Sequence, residues 1–415
     1  MGKNYLKGIL TYINKVYKIN EKINRVPEVR SRPQTEIGTI FYVLFLGLLF
    51  RMESINHLNG WIKTKRFKKM LPRGTRVPLM DTLRRVLKIF NVGFIHQMNR
   101  DIVQKARRNR VFQRSKIGGY TVAAIDGVEL FNTNTSCAEC LSRKKTNGEV
   151  EYFHKSVVCM SVGSEPRIIL GGEMLHPKKD GSDKDEGEQT GARRLLEKLY
   201  EQYHHFADVV VVDALYLNSP FISSVHSLGM DVVVRMKNER FEIMKDAMGL
   251  FKKQSPECTW KVTKGSTTTQ IQCWRASGVY WGNLEFPLCV YLFKETIFKP
   301  NKDDEVKDVW VATTIDHKRQ HETVWKIMHK RWDIENCGFH QLKTQCNINH
   351  CFVHDATAIE TMFMLTLIVF NLLQLYIHCR LHHFSKKKMT TKLLVETMLF
   401  QAVSGEGFVR MLGPP

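Results

Sequence analysis

The chain has 415 residues, 43% hydrophobic and 25% charged, a composition that excludes a disordered polymer and leaves room for two domains or one domain with a long insertion. Ten cysteines over this length exclude a small disulfide-stapled scaffold and predict reduced thiols in a cytoplasmic compartment. The formal charge of +21 lies almost wholly in residues 1–117, which hold 26 Lys and Arg against 6 Asp and Glu, whereas residues 118–415 hold 36 against 35; such asymmetry is the footprint of a polyanion-binding module, with nucleic acid the leading partner.

The opening MGKNYLKGILTYINKVYKIN alternates charged and apolar residues and predicts a helix rather than a signal peptide. Helical spacing recurs in MDTLRRVLKIFNVGFI, with breaks at RVPEVRSRPQ and LPRGTRVP, and Asp81 after the second break is placed to cap a helix. The apolar run Ile37 to Phe50 is shorter than the ~20 residues a bilayer needs and predicts a buried helix. Two cation clusters, Lys63, Lys65, Arg66, Lys68 and Lys69, then Lys105, Arg107, Arg108 and Arg110, are the predicted DNA contacts of this helical region.

After Gly118 and Gly119 come three β segments, TVAAIDGVELF, VEYFHKSVVCMSVG and PRIILGGEML. The helix EGEQTGARRLLEKLYEQYHHF, the strand ADVVVVD, the helix NSPFISSVHSLG and the strand MDVVVRMK follow. Neighbouring strands followed by helix-strand alternation predict an α/β domain with a mixed sheet. Residues 238–308 break the pattern with polar alternating segments and predict a β-rich insertion, after which VWVATTI resumes the core and the rest is helical. The apolar stretch Ala356 to Ile377 contains Glu360, Asn371 and Gln374, which favour a core helix over a membrane span.

Asp126 follows a mostly apolar strand and Asp213 ends ADVVVVD, at the carboxyl ends where open α/β sheets bind ligands. Either alone is more readily a strand-end turn former. Glu335, in KRWDIENCGFHQLK, shares a helix face with Arg331 at i, i+4, which on a surface is an ordinary salt bridge. Beside a basic module the three acids take on another meaning. Oxygen-only ligands suit Mg or Mn, and two such ions can activate a water or a 3′-hydroxyl against a phosphodiester.

IDG at Ile125 to Gly127, VVDALY at Val211 to Tyr216 and RWDIENCGFHQLK at Arg331 to Lys343 together resemble the DDE insertion-sequence transposases with a ribonuclease H-like catalytic domain, the group whose prototype is the fourth insertion-sequence family. The resemblance implies a ribonuclease H-like mixed sheet with flanking helices (118–237 and 309–415), interrupted by the insertion and preceded by an all-helical DNA-binding region. It implies Asp126, Asp213 and Glu335 as a metal-binding catalytic triad holding two Mg or Mn ions, with Arg331 and Lys343 gripping phosphate. Cut-and-paste transposition, binding of terminal inverted repeats, a homodimer when two ends are synapsed, cytoplasmic action at the nucleoid and no membrane association follow from it. The competing readings are a domesticated DNA-binding protein and a structure-selective nuclease of the same fold.

Two positions depart from that pattern. Met328 stands where the group usually has a tyrosine, and Lys343 falls eight residues after Glu335 rather than seven. At about 100° per residue the extra step turns Lys343 away from Glu335 on a regular helix, so a π-bulge near Asn336 to Gly338 is predicted to absorb it.

Cys137, Cys140, His154 and Cys159 offer zinc-type ligands, but the spacing is no standard finger, and a strand histidine with buried thiols is the expected outcome. Trp260, Trp274, Trp281 and Trp310 are expected to fill a small β core, although resemblance to the transposases implies that one stacks a flipped base. The acids of DEGEQTGARRLLEKL are read as a solvated loop and a helix N-terminus, and Cys346, His350 and Cys351 as packing and helix-end residues.

Overall fold

The computed structural model describes residues 4–71, 74–137, 139–178, 184–237, 242–300, 303–316, 320–381, 384 and 389–404. Its first part is helical: α1 (Tyr5–Tyr17), α2 (Ile19–Ile23), α3 (Ile37–Leu49), α4 (Ile55–Ile62), α5 (Lys65–Lys68), α6 (Met80–Leu87) and α7 (Val92–Arg108). Helix α1 buries Leu6, Ile9, Leu10, Ile13 and Tyr17, one stripe at helical spacing. Asn4 and Asn91 cap α1 and α7, accepting from the amides of Lys7 and Phe94. Asp81 is not a cap; Leu79 holds that position and Asp81 lies in the first turn, where its charge still favours the helix dipole.

The chain then forms β1 (Val122–Thr133), β2 (Leu141–Lys144), β3 (Val150–Val162) and β4 (Ile169–Met174), followed by α8 (Glu188–Tyr203), β5 (Val209–Val212), α9 (Ser219–Ser227), β6 (Asp231–Met236) and α10 (Glu242–Phe251). Strands β7 (Cys258–Lys264), β8 (Thr267–Val279), β9 (Leu288–Phe298) and β10 (Glu305–Thr313) precede α11 (His321–Lys330), a π-helical turn (Ile334–Phe339), α12 (His340–Cys346), α13 (Ala356–Cys379) and α14 (Thr391–Ser404).

All ten strands join one sheet in the order β2-β3-β1-β5-β6-β10-β9-β8-β7, with β4 also on β3. The β4-β3-β1-β5-β6 part, with β1, β5 and β6 parallel and β3 antiparallel to β1, is the ribonuclease H-like arrangement. The four valines of β5 are buried, as a parallel central strand covered on both faces requires. Strands β7 to β9 do not stand apart as a separate sheet. They extend the main one through the antiparallel β9–β10 pairing.

Two helices apolar all round organise the helical layer. In α3 every residue except Gly38 is buried, and α13 packs against α1, α3, α6, α7 and β4. Helix α13 is long and apolar enough to cross a membrane, yet 83% of its most apolar window is buried inside the protein. Its polar groups have partners there. Asn371 accepts from the Ile169 amide at 2.8 Å and donates to the Ile169 carbonyl at 2.8 Å and to Asn99 Oδ1 at 3.0 Å, so it completes the free edge of β4 as a neighbouring strand would.

Candidate active site

The parallel register places the two aspartates side by side. Val122, Ala123 and Ala124 of β1 pair with Val209, Val210 and Val211 of β5, and continuing that register by two residues sets Asp126 beside Asp213. Side chains at matching positions of adjacent strands share a face. Asp126 Oδ1 accepts from the Gly127 amide at 2.9 Å. Asp213 caps the short 3-10 turn Ala214–Tyr216, its Oδ1 accepting from the Leu215 amide at 2.9 Å, and its Oδ2 lies 3.5 Å from Lys237 Nζ.

Glu335 arrives from the other side of the sheet's end, on the π turn. Arg331 Nη1 donates to Glu335 Oε1 at 2.7 Å and lies 3.5 Å from Asp126 Oδ2. One guanidinium thus ties the first and third acids together. Arg331 is fully buried, and its Nε and Nη2 have no hydrogen-bond partner among the described residues. Its Cζ sits 4.6 Å from the centre of the Trp332 ring, a cation–π contact that offsets part of the cost of burying it. This departs from the expectation of a cation turned to DNA: in this structure Arg331 faces the acids. Ile334 is buried in the core, but Trp332 is 36% exposed, with Arg235 and Lys237 over its ring at 5.4 and 5.9 Å.

The π turn lies where the spacing predicted it. The His340 amide bonds to the Glu335 carbonyl, an i to i+5 bond that widens one turn by one residue. Lys343, exposed on α12, is thereby returned to the side of the helix that bears Glu335. Met328 is buried with 1% exposure and offers no hydrogen bond.

A fourth carboxylate went unrecognised in the sequence. Glu188, the first residue of α8, has a side chain only 9% exposed and pairs with Lys155 Nζ at 2.5 Å. The Tyr216 hydroxyl donates to its Oε1 at 3.1 Å. A Cβ on Gly127 would lie 2.2 Å from Glu188 Oε2, so the glycine of the IDG motif is what admits this acid beside Asp126. Nothing local marked Glu188, since acids are common at helix starts. Glu186, its neighbour, is likewise no solvated loop residue but pairs with Arg194.

Burial pushes the Asp126 carboxyl up to about 7, the Arg331 guanidinium opposing the rise and the Glu188 and Asp213 carboxylates adding to it. The neutral acid is the form this fold prefers, so its contribution to stability is full below the ordinary value of 3.8 and is lost as pH rises through about 7. Without divalent ions, Asp126→Asn is expected to melt progressively higher than the parent as pH is raised across that window. Calorimetric scans of both proteins from about pH 5 to about pH 8 measure the divergence; parallel curves would refute the assignment.

The donor set suits a hard cation. Asp126, Asp213, Glu335 and Glu188 supply only oxygen, and the repulsion by which Glu188 and Asp213 add to the burial-driven rise at Asp126 is what a divalent ion would relieve. Of the outlying cations, Lys63, Lys65, Lys68, Lys69, Lys105, Arg108 and Arg110 are exposed, and the Arg66 side chain lies outside the described residues. Arg107 is different. It donates to the Tyr203 and His205 carbonyls at 2.6 and 2.8 Å, which docks α7 on the end of α8 and leaves it a structural task. Among the tryptophans, Trp310 is buried, Trp260 packs edge-on to Trp325, and Trp274 donates to the Gln254 carbonyl at 2.9 Å.

Residues 178–372 match the family described as Transposase DDE domain. This part of the chain is similar to the DDE domain of transposases. The matched stretch contains Glu188, Asp213, Arg331, Glu335 and Lys343, and begins after Asp126. Among solved structures the chain is similar to a piggyBac transposase synaptic complex with hairpin DNA, at 12% identity and a TM-score of 0.47, covering 97% of this chain and 80% of that one. It is also similar to an endonuclease V from Bacillus subtilis, at 13% identity and a TM-score of 0.25, covering 61% of this chain and 94% of that one. No curated protein matches it.

Proposed function

We propose that the protein cleaves DNA at the ends of its own element and joins the freed 3′-hydroxyls to target DNA, with Asp126, Asp213 and Glu335 as the catalytic acids. The observation that carries this reading is that one buried arginine ties Asp126 of β1 to Glu335 of the π turn, while the parallel register sets Asp126 beside Asp213 at the end of β5.

Asp126, Asp213 and Glu335 would hold Mg or Mn, with Glu188 beside them, and two ions bound there would lower the pKa of an attacking hydroxyl and stabilise the leaving oxygen. The chain's own contribution is placement. The parallel register fixes the aspartates, the Arg331 guanidinium holds Glu335 toward Asp126, and Lys343, beyond the π turn, would meet a backbone phosphate. Residues 1–117, with most of the excess charge, would bind the terminal inverted repeats, and synapsis of two ends requires at least a dimer. Cytoplasmic action on DNA, without a membrane, completes the reading.

The test is incubation of the purified full chain with a duplex carrying the repeats that flank its gene, with Mg, Mn or neither, followed by gel analysis of nicks and joined products. Divalent-dependent cutting at the repeat ends supports the proposal; binding without cutting supports a retired transposase, and cutting indifferent to the repeat supports a structure-selective nuclease. Neutralising Lys63, Lys65, Lys68 and Lys69 to Gln is expected to weaken binding to the repeats and to reduce the salt dependence by about one charge for each phosphate no longer neutralised. Titrations at several salt concentrations read that slope, and an unchanged slope would remove these lysines from the interface.

A further inference from the structure

Sulfur and imidazole gather beyond the β2–β3 hairpin, on residues the catalytic reading does not use. Cys137 and Cys140 form a CxxC pair with Cα atoms 5.5 Å apart and are joined as a disulfide. His154 Nε2 lies 3.4 Å from Cys137 Sγ and 3.5 Å from Cys140 Sγ. The histidine is 2% exposed and Cys140 8% exposed. A tetrahedral zinc with Zn–S near 2.3 Å and Zn–N near 2.05 Å has a sulfur-to-nitrogen edge of about 3.5 Å, so both edges have the length of a closed metal site.

Cys159, the fourth ligand suggested by spacing, does not join them. It is five residues along β3 from His154, and an odd separation on a strand turns the two side chains to opposite faces; Cys159 is wholly buried in the core. The candidate on the correct side is His354, in the loop between α12 and α13. Its ring centre lies 6.3 Å from that of Phe131, which is 5.3 Å from His154. His354 is exposed.

We propose that reduced Cys137 and Cys140, together with His154 and His354, hold one structural zinc ion. A dithiol reductant supplies the two electrons that open the disulfide, and zinc then displaces the two thiol protons without any change in its own oxidation state. The ion would fasten β3 and the Cys137–Cys140 loop to the segment that follows the helix carrying Lys343. The disulfide and the zinc site are two states of the same pair.

A second cluster, Cys258, Cys273 and His321, also brings its ligand atoms within 4.8 Å of one another. There the Arg275 cation acts on His321 as well, which disfavours another positive charge, and this cluster serves as the internal control. The experiment is metal analysis of the reduced full chain after dialysis with zinc and then with a chelator weak enough to strip only carboxylate-bound ions. One equivalent of zinc is expected in the parent and in Cys258→Ser, and none in Cys137→Ser or Cys140→Ser. The oxidised parent, the same polypeptide with its thiols consumed, should bind none, which keeps the test decisive if a serine variant fails to fold. In the cobalt-substituted protein, thiolate charge-transfer absorption and strong tetrahedral d–d bands are expected, and His354→Ala should change those bands and weaken binding about tenfold to a hundredfold. A reduced parent that retains no zinc, or zinc lost in Cys258→Ser and kept in Cys137→Ser, overturns the proposal; an unaltered cobalt spectrum in His354→Ala overturns the fourth ligand.

Discussion

Asp126→Asn, Asp213→Asn and Glu335→Gln are each expected to lower strand cleavage by at least about a thousandfold while binding the element's ends as the parent does. Each exchange keeps the shape of the side chain and removes one negative charge from the set that would hold the cations. In Glu335→Gln the amide oxygen can still accept from Arg331, so the tie to the arginine survives while a ligand is lost. Asp126→Asn separates chemistry from folding most sharply, because the fold already prefers a neutral group at this position. An inactive protein of equal or greater stability at pH 8 is the expected outcome. Filter-binding and nicking assays on the same preparations read the two properties, and any of the three variants cutting at the parental rate would remove that residue from the site.

Arg331→Met is the second. It leaves the Asp126 and Glu335 carboxyls with no cation between them; breaking a fully buried ion pair from one side typically costs about 3–5 kcal/mol, and because the Glu335 side chain is 36% exposed the loss here falls below that range. Chemical denaturation of the metal-free protein measures the loss. Adding Glu335→Gln should recover part of it, because the carboxylate that paired with the arginine is then gone. Arg331→Lys retains a charge but not the planar fork that reaches both acids, so it should fold better than Arg331→Met and still cleave poorly. If Arg331→Met is as stable as the parent, the arginine does not hold the acids together.

The strand acids were legible because the sheet's physics is local at their positions. Four valines running into an aspartate specify a covered parallel strand with a carboxylate at its end, and the displaced spacing of Lys343 carried enough information to predict the π turn. Arg331 was less legible. An i, i+4 relation to Glu335 says that the two share a face but not that the face is buried, and burial converts a phosphate-seeking cation into one that ties two acids together. Glu188 was invisible because its place beside Asp126 depends on α8 crossing the sheet at Gly127, a contact between residues 61 apart in sequence. The extension of the sheet by β7 to β9 was hidden for the same reason, since pairing partners are not written in a strand's own residues. The opposite facing of His154 and Cys159, by contrast, could have been read from the odd spacing alone.

The widened turn at Ile334–Phe339 gives this helix a slack of one residue in its length. Removing a single residue between Asn336 and Gly338 would let the turn close into ordinary α-helix, with Glu335 and Lys343 then seven apart and still on one side. The same deletion within α12, beyond the turn, would shorten the chain where no slack exists, swinging every later side chain by about 100° and carrying the segment leading to α13 with it. The helix carrying Glu335 is therefore tolerant of a length change at one point and intolerant a few residues further on, and both the acid and the lysine owe their alignment to where that point falls.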